Sequence, residues 1–212
     1  MKKSDSNGAC STAIGPLPSA AANRIISFSQ PYACEVEVTG TSDMLFHRWN
    51  VESIAVQTKA AKGSKVRRSD DLESYVYRNN EGMICVPGEY LRQAIIHASK
   101  YRQDPRSPRK SMFEMSKAAV IALTPLASVG KDTWDYEDRR RVMVQRNGVT
   151  RTRPAFLSGW QTTFQLLVNL PEYIPPTLLQ ELLLDAGRLI GLGDFRPTYG
   201  RFVVSRFEVL NG

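Results

Sequence analysis

Cysteine is scarce. The 212 residues hold three, Cys10, Cys34 and Cys85, too far apart for a disulfide framework or a CxxC metal site. That usage fits a reducing compartment. Histidine is scarcer, at two, so no zinc signature can be assembled and no Ser-His-Asp or Cys-His arrangement can be argued from spacing. No cofactor is expected. No apolar run approaches the roughly 20 residues a membrane helix needs. The start, Met1-Lys2-Lys3-Ser4-Asp5, lacks the apolar core of a signal peptide. A cytoplasmic location without a membrane partner is therefore expected. Hydrophobic residues at 42% and charged residues at 23% exclude a disordered or coiled-coil chain. The length suits one domain of generous size, or one carrying insertions.

Acids are what the basic regions lack. The chain has 28 Lys+Arg against 21 Asp+Glu, net +7. Segments 59–68, 92–117 and 139–153 hold 18 of those 28 cations and only two acids, Asp104 and Glu114. They carry +16 and the remaining 161 residues carry −9. Clustered Lys and Arg displace condensed counterions from a phosphate backbone, the main source of nucleic-acid affinity. Solvated loops that happen to be basic are the plainer alternative. Membrane-surface binding fits less well, because no basic segment is also a clean amphipathic helix.

Residues 1–24, rich in Ser, Ala, Gly and Pro without periodicity, read as a disordered leader. A single domain is expected over 25–212, with insertions at 42–82 and 124–160. Cys34 to Thr39 alternates strictly, the pattern of a half-buried strand. Residues 57–71 form a polar, basic loop. Tyr75–Tyr77 and Met83–Val86 are expected to be short strands around an Asn79–Gly82 turn. Pro87-Gly88 opens a helix to about Arg102, with Leu91, Ala94, Ile95 and Ala98 on its buried face. The prolines of 104–110 end it. Ala118–Leu123 and Phe164–Leu170 read as strands. Pro175-Pro176 starts a second helix, its core face formed by Leu178, Leu179, Leu182, Leu183, Ala186, Leu189 and Ile190, and Gly191 caps it. The last strand, Arg201–Val209, slips phase near Ser205, which implies a bulge. The order β, helix, β, β, helix, β, with an extra basic hairpin, is an α+β fold on the split βαβ plan of ferredoxin-like and RNA-recognition domains.

Two segments carry the binding chemistry. Arg141 to Arg153 is expected to be a hairpin turning at Asn147-Gly148. In that register Arg146, Arg151 and Arg153 share one face, a comb of guanidiniums suited to phosphates; an edge hairpin charged against aggregation is the alternative. Residues 187–202 are glycine-rich, but the loop leaves a helix and enters a strand, the reverse of a dinucleotide fingerprint. Two readings stay open. Gly191, Gly193 and Gly200 can let backbone approach a ligand beside Arg196 and Arg201, with Phe195 and Tyr199 available for stacking. Alternatively they permit a tight turn, with the aromatics in the core.

The segments "MICVPGEYLRQAI" (83–95) and "GLGDFRPTYGRF" (191–202) resemble, respectively, the strand-proline-glycine-helix opening and the glycine-rich loop of the RAMP superfamily. These are RNA-recognition-fold proteins of CRISPR effector complexes. "SDMLFHRW" (42–49) after the first strand, and the basic hairpin before the third core strand, are similar to their crRNA-binding backbone subunits. The chain also resembles small uncharacterised proteins encoded in bacteriophage genomes. The resemblance spans about 34–209 and implies an RNA-recognition-type fold with a nucleic-acid groove.

The expected function is therefore non-catalytic binding of RNA or another single-stranded nucleic acid, with copies lining up along the strand as a homo-oligomer. The candidate contacts are Lys62, Lys65, Arg67 and Arg68 in the first basic loop, and Arg106, Arg109 and Lys110 after the first helix. Arg139, Arg140, Arg141, Arg146, Arg151 and Arg153 in the hairpin join them, with Gly191, Gly193, Arg196, Gly200 and Arg201 in the last loop. Two other functions stay open. One is a metal-independent endoribonuclease using His97, near where some RAMP nucleases place a histidine, or Asp70 or Asp71, in a region where some backbone subunits carry a cleaving aspartate. The other is a phage protein whose basic surface meets an acidic protein partner.

Overall fold

The alternation of Cys34, Val36 and Val38 with Glu35 and Glu37 is realised in full. In the computed structural model, which describes residues 30–48, 71–144 and 147–210, those three apolar side chains are completely buried in strand β1 (Tyr32–Gly40). The expected leader lies outside the described residues. After β1 come β2 (Met44–Leu45), β3 (Tyr77–Arg78) and β4 (Ile84–Pro87). Helix α1 (Gly88–Ala98) follows, closed by a 3₁₀ turn over Ser99–Tyr101. Its Leu91, Ala94, Ile95 and Ala98 are all fully buried. Burying Leu91 and Ile95 stabilises the fold by roughly 1.5–3 kcal/mol each.

The proline-rich stretch after α1 has more structure than its composition implies. It forms a small antiparallel pair, β5 (Gln103–Asp104) and β6 (Ser107–Ser111), and then helix α2 (Phe113–Ala119). The helix takes up Ala118 and Ala119, so the next strand, β7 (Val120–Ala122), begins two residues later than the apolar run suggests. There follow β8 (Leu126–Ser128), β9 (Tyr136–Val144), β10 (Asn147–Phe156), β11 (Gln161–Val168), helix α3 (Pro176–Asp185) and β12 (Phe202–Leu210).

The main sheet is antiparallel with order β12-β1-β11-β7. Strand, helix, strand, strand, helix, strand with that order is the ferredoxin-like arrangement of two interlocked split βαβ units. α1 and α3 cover one face, and the core lies between them and the sheet. The bulge near Ser205 is present. Glu37 pairs with Arg206 and Val38 with Val204, leaving Ser205 unopposed, with its hydroxyl donating to the Glu37 carbonyl at 3.1 Å.

Two expectations need correction. Tyr75 and Val76 are not strand; Tyr75 ends a 3₁₀ turn, and only Tyr77 and Arg78 pair with β4. The Asn79 turn between them does form, its carboxamide oxygen accepting the N–H groups of Glu81 and Met83. The second helix does not keep one core face to its end. From Ala186 to Ile190 it widens into π turns, closed by the Gly191 N–H donating to the Ala186 carbonyl at 2.8 Å. The wider turn rotates the later side chains, so Leu189 is 37% exposed while Leu179, Leu182, Leu183 and Ala186 stay buried. Among the described residues, no helix is long and apolar enough to cross a membrane.

Candidate nucleic-acid interface

The hairpin turns earlier than its Asn-Gly pair implies. Asn147 pairs with Val144, Val149 with Val142, Arg151 with Arg140 and Arg153 with Asp138. Asn147 and Gly148 therefore lie in β10, not at the turn, and Arg146 falls outside the described residues. The register is fixed from the base of the ribbon. There Ala155 and Phe156, both fully buried, pair with Leu45 and Met44 of β2. Buried apolar pairs outweigh a local turn preference.

This register sorts the arginines by face. Directly opposite residues share a face, so Asp138, Arg140, Arg151 and Arg153 point one way and Arg139 and Arg141 the other. The inner set is largely structural. Arg153 is only 5% exposed, so it is not the surface contact the comb requires. Its Nε donates to Asp194 Oδ2 at 2.9 Å, and its guanidinium lies over the Tyr75 ring. Arg140 donates to both Asp138 oxygens at 2.5 Å and to the Tyr199 hydroxyl at 2.6 Å, with the Phe195 and Tyr199 rings beneath it. It clasps the hairpin to the glycine loop. Arg139 and Arg141 are exposed and make no ion pair among the described residues. Replacing Arg153 by alanine should cost about 2 kcal/mol, the scale of a hydrogen bond to a charged group. A thermal melt should fall by roughly 4–8 °C, whereas Arg141→Ala should leave it unchanged.

The glycine loop is shaped by its own backbone. Leu192 N–H donates to the Gly200 carbonyl, Gly200 N–H to Asp43 and Asp194 N–H to Leu45, at 2.7–2.8 Å. Gly200 has φ +72°, and a Cβ there would stand 1.7 Å from the Leu192 oxygen; at Gly193 it would stand 2.5 Å from the Leu45 oxygen. The space these glycines free is filled by the chain itself. Gly191 and Gly200 are buried. Phe195 and Tyr199 are half-buried against Arg140, between the two positions the sequence allows. Arg196, Pro197 and Thr198 remain outward.

Arg196 meets the end of α1. His97, Tyr101, Ile190, Phe195 and Arg196 are among the residues lining a groove of about 530 Å³. His97 is exposed, with its ring edge toward Phe113 at 6.4 Å. Partial burial, then the charges of Lys100 and Arg196, hold its imidazole below the ordinary histidine range. Asp194 also lines the groove, but its carboxylate faces Arg153 and, at 3.8 Å, His47. Among the described residues no carboxylate is hydrogen-bonded to His97. Asp71 lies elsewhere, opening the 3₁₀ turn before β3, where its backbone carbonyl accepts from Ser74. Asp70, Lys62, Lys65, Arg67 and Arg68 lie outside the described residues.

The remaining cations divide the same way. Arg102 pairs with Glu181 and Asp185, and Arg92 with Glu89. Arg106 is held by Asp104 and stacks on Tyr173 at 3.7 Å. Arg109 and Lys110 are exposed on β6. Arg201 is exposed and borders a separate recess of about 440 Å³ with Glu181, Leu184 and Val203. Sequence alone does not single out Asp194 or Tyr75 as anchors, since each meets Arg153 through the tertiary fold, whereas Asp138 stands two residues from Arg140 on the same strand. Cys34 is buried, and burial pushes its thiol up to about 12, far from a reactive thiolate. Among the described residues, no three of His, Cys, Asp and Glu gather closely enough to hold a metal ion.

The open face of the main sheet has the opposite character. It presents Glu35, Glu37 and Thr39 from β1, Gln161, Thr163 and Gln165 from β11, and Val203, Arg206 and Glu208 from β12. Arg206 is engaged by Glu208 at 2.5 Å and by Glu35 at 3.4 Å. With no aromatic among these residues and three carboxylates, the surface lacks the stacking platform that an RNA-recognition sheet uses.

No protein-family model matches the chain, and no curated protein matches it. Among solved structures it resembles a chain from the cryo-EM structure of the type III-B Cmr-beta bound to cognate target RNA. The TM-score is 0.52 and the identity 10%, over 86% of this chain. The chain spans 61% of that neighbour's length. At that identity the likeness concerns the fold alone, an α+β, ferredoxin-like arrangement.

Proposed function

We propose that the chain is a non-catalytic RNA-binding protein, or binds single-stranded nucleic acid more generally. The strand lies over the outer face of the β9–β10 hairpin and the tip of the glycine loop. One observation carries this reading. Arg139, Arg141, Arg196 and Arg201 stand exposed, without acid partners among the described residues, on the hairpin and the glycine loop that Arg140 clasps together. Cations already matched to carboxylates add little to a phosphate surface; unmatched ones release counterions when they meet it. The acidic sheet face leaves this side as the one suited to a polyanion. The fold shared with a chain of an RNA-bound assembly supports the reading, as does the RAMP resemblance of 83–95 and 191–202. A role as a crRNA-type backbone subunit, phage-encoded or not, with copies side by side along the strand, follows from the same reading. Among the described residues no acid is placed to orient His97, which favours binding over cleavage.

The test is a titration of a labelled single-stranded RNA, and the same DNA, at salt from 50 to 300 mM. Affinity should fall with a slope of log K against log salt near −3, from four to five phosphate contacts at about 0.7 each. Binding that is undetectable or indifferent to salt overturns the proposal.

A further inference from the structure

The groove beside His97 has contents that a phosphate-tracking surface does not need. Tyr101 stands at its wall 72% exposed, a large aromatic ring given to solvent at the end of the α1 turn. The apolar side chain of Ile190 lines the same wall. The volume, about 530 Å³, falls within the range of about 300–1,000 Å³ that small-ligand pockets occupy. Charge comes to the groove from its own lining and from beside His97. Lys100, whose ammonium sits over the Phe113 ring at 4.7 Å, comes from the turn after α1. Arg196 and Asp194 come from the glycine loop, with Asp194 already facing Arg153 and His47. Phe113 of α2, uncharged, closes the side toward His97.

We propose that this groove is a subsite for a single nucleotide of the bound strand, its phosphate met by Arg196, Lys100 and His97 and its base laid against Tyr101. The inference rests on the nucleic-acid reading and gives it a position where one base is held. Every base has a π-face, so an exposed tyrosine binds bases with little regard to sequence. A phosphate here changes the histidine. Without a ligand, partial burial and two neighbouring cations disfavour the charged form of His97 and hold its pKa below the ordinary value. An anion beside it favours the imidazolium and raises its pKa. Between the free and bound values the complex holds more protons than the separate partners, so affinity rises as pH falls through that window.

The experiment follows binding of a labelled uridine 12-mer from pH 8.0 to 5.5 at constant ionic strength, since uracil does not titrate there. Wild type is compared with His97→Gln, Tyr101→Ala and Arg196→Ala. The imidazole resonance of His97 is titrated by NMR with and without the oligomer. A rise of one unit in the His97 pKa corresponds to about tenfold tighter binding at the acid end. His97→Gln should lose that increment, its affinity rising between pH 8.0 and 5.5 by no more than the background that His47 gives to both proteins. Tyr101→Ala should weaken binding by roughly 5- to 150-fold, the range for one stacked base. A pH profile unchanged by His97→Gln, an immobile His97 resonance, or full affinity in Tyr101→Ala overturns the subsite while leaving the binding function standing. No binding by wild type at any pH overturns both.

Discussion

Replacing Arg139, Arg141, Arg196 and Arg201 together by alanine should weaken binding of single-stranded RNA about 200-fold at about 0.15 M salt. Each phosphate contact on a single strand releases about 0.7 of a counterion, worth roughly fourfold in affinity at that salt concentration, and four contacts multiply. The salt slope should flatten by about 3 in the same experiment. All four side chains are exposed and none forms an ion pair among the described residues, so the fold loses nothing it depends on. Thermal melting should be unchanged. The control is Arg206→Ala on the acidic face, where Glu35 and Glu208 already engage the guanidinium. It removes one formal charge, against four in the quadruple variant, and should leave affinity close to wild type instead of showing the roughly fourfold loss that one phosphate contact is worth. A loss of about fourfold from Arg206→Ala would mean that net charge, not this surface, governs binding. Retention of wild-type affinity by the quadruple variant would remove the hairpin and the loop from the interface.

Gly200→Ala should lower the melting temperature by roughly 4–20 °C. The backbone φ of +72° is one that an L side chain adopts at a cost of about 1–2 kcal/mol. The added methyl would also stand 1.7 Å from the Leu192 oxygen, and such overpacking typically costs 1–3 kcal/mol. Together these give about 2–5 kcal/mol, at 2–4 °C each for a chain of this size. The strain acts on the bonds joining Leu192 to Gly200 and Gly200 to Asp43, which hold the loop carrying Arg196. Affinity measured well below the melt should therefore fall as well, without loss of any cation. A variant that melts like wild type would show that the loop can open at that point. The tight pairing with Leu192 would then not be what makes glycine necessary.

The elements most legible in the sequence are those set by local periodicity. Cys34, Val36 and Val38 alternate, so β1 and its buried side could be read directly. The slip from Val204 to Phe207 placed the bulge at Ser205, because one extra residue reverses every later side chain. The hairpin was harder. A change of register by an even number of residues keeps each side chain on its face, so alternation could not separate a turn at Asn147-Gly148 from the observed pairing of Asn147 with Val144. The base of the ribbon decided it, through Ala155 and Phe156 against β2. The widening after Asp185 escaped for a related reason: a helical period assumed constant carries Leu189 to the core, and the π turns carry it out.

The segregation of charge, +16 on three segments and −9 on the rest, belongs to the sequence alone, as do the scarcity of cysteine and histidine and the βαββαβ order. Which cations are available belongs to the tertiary structure. Arg139, Arg140, Arg141 and Arg153 are equivalent by composition. Arg153 is nonetheless spent on Asp194, 41 positions away, and Arg140 on Tyr199, 59 positions away. Ion pairing acts over a few ångströms of space, while sequence periodicity reports only a residue's face within its own element. Only the packed fold, by bringing distant partners to some arginines and not to others, separates those that hold the protein together from those left to meet a ligand.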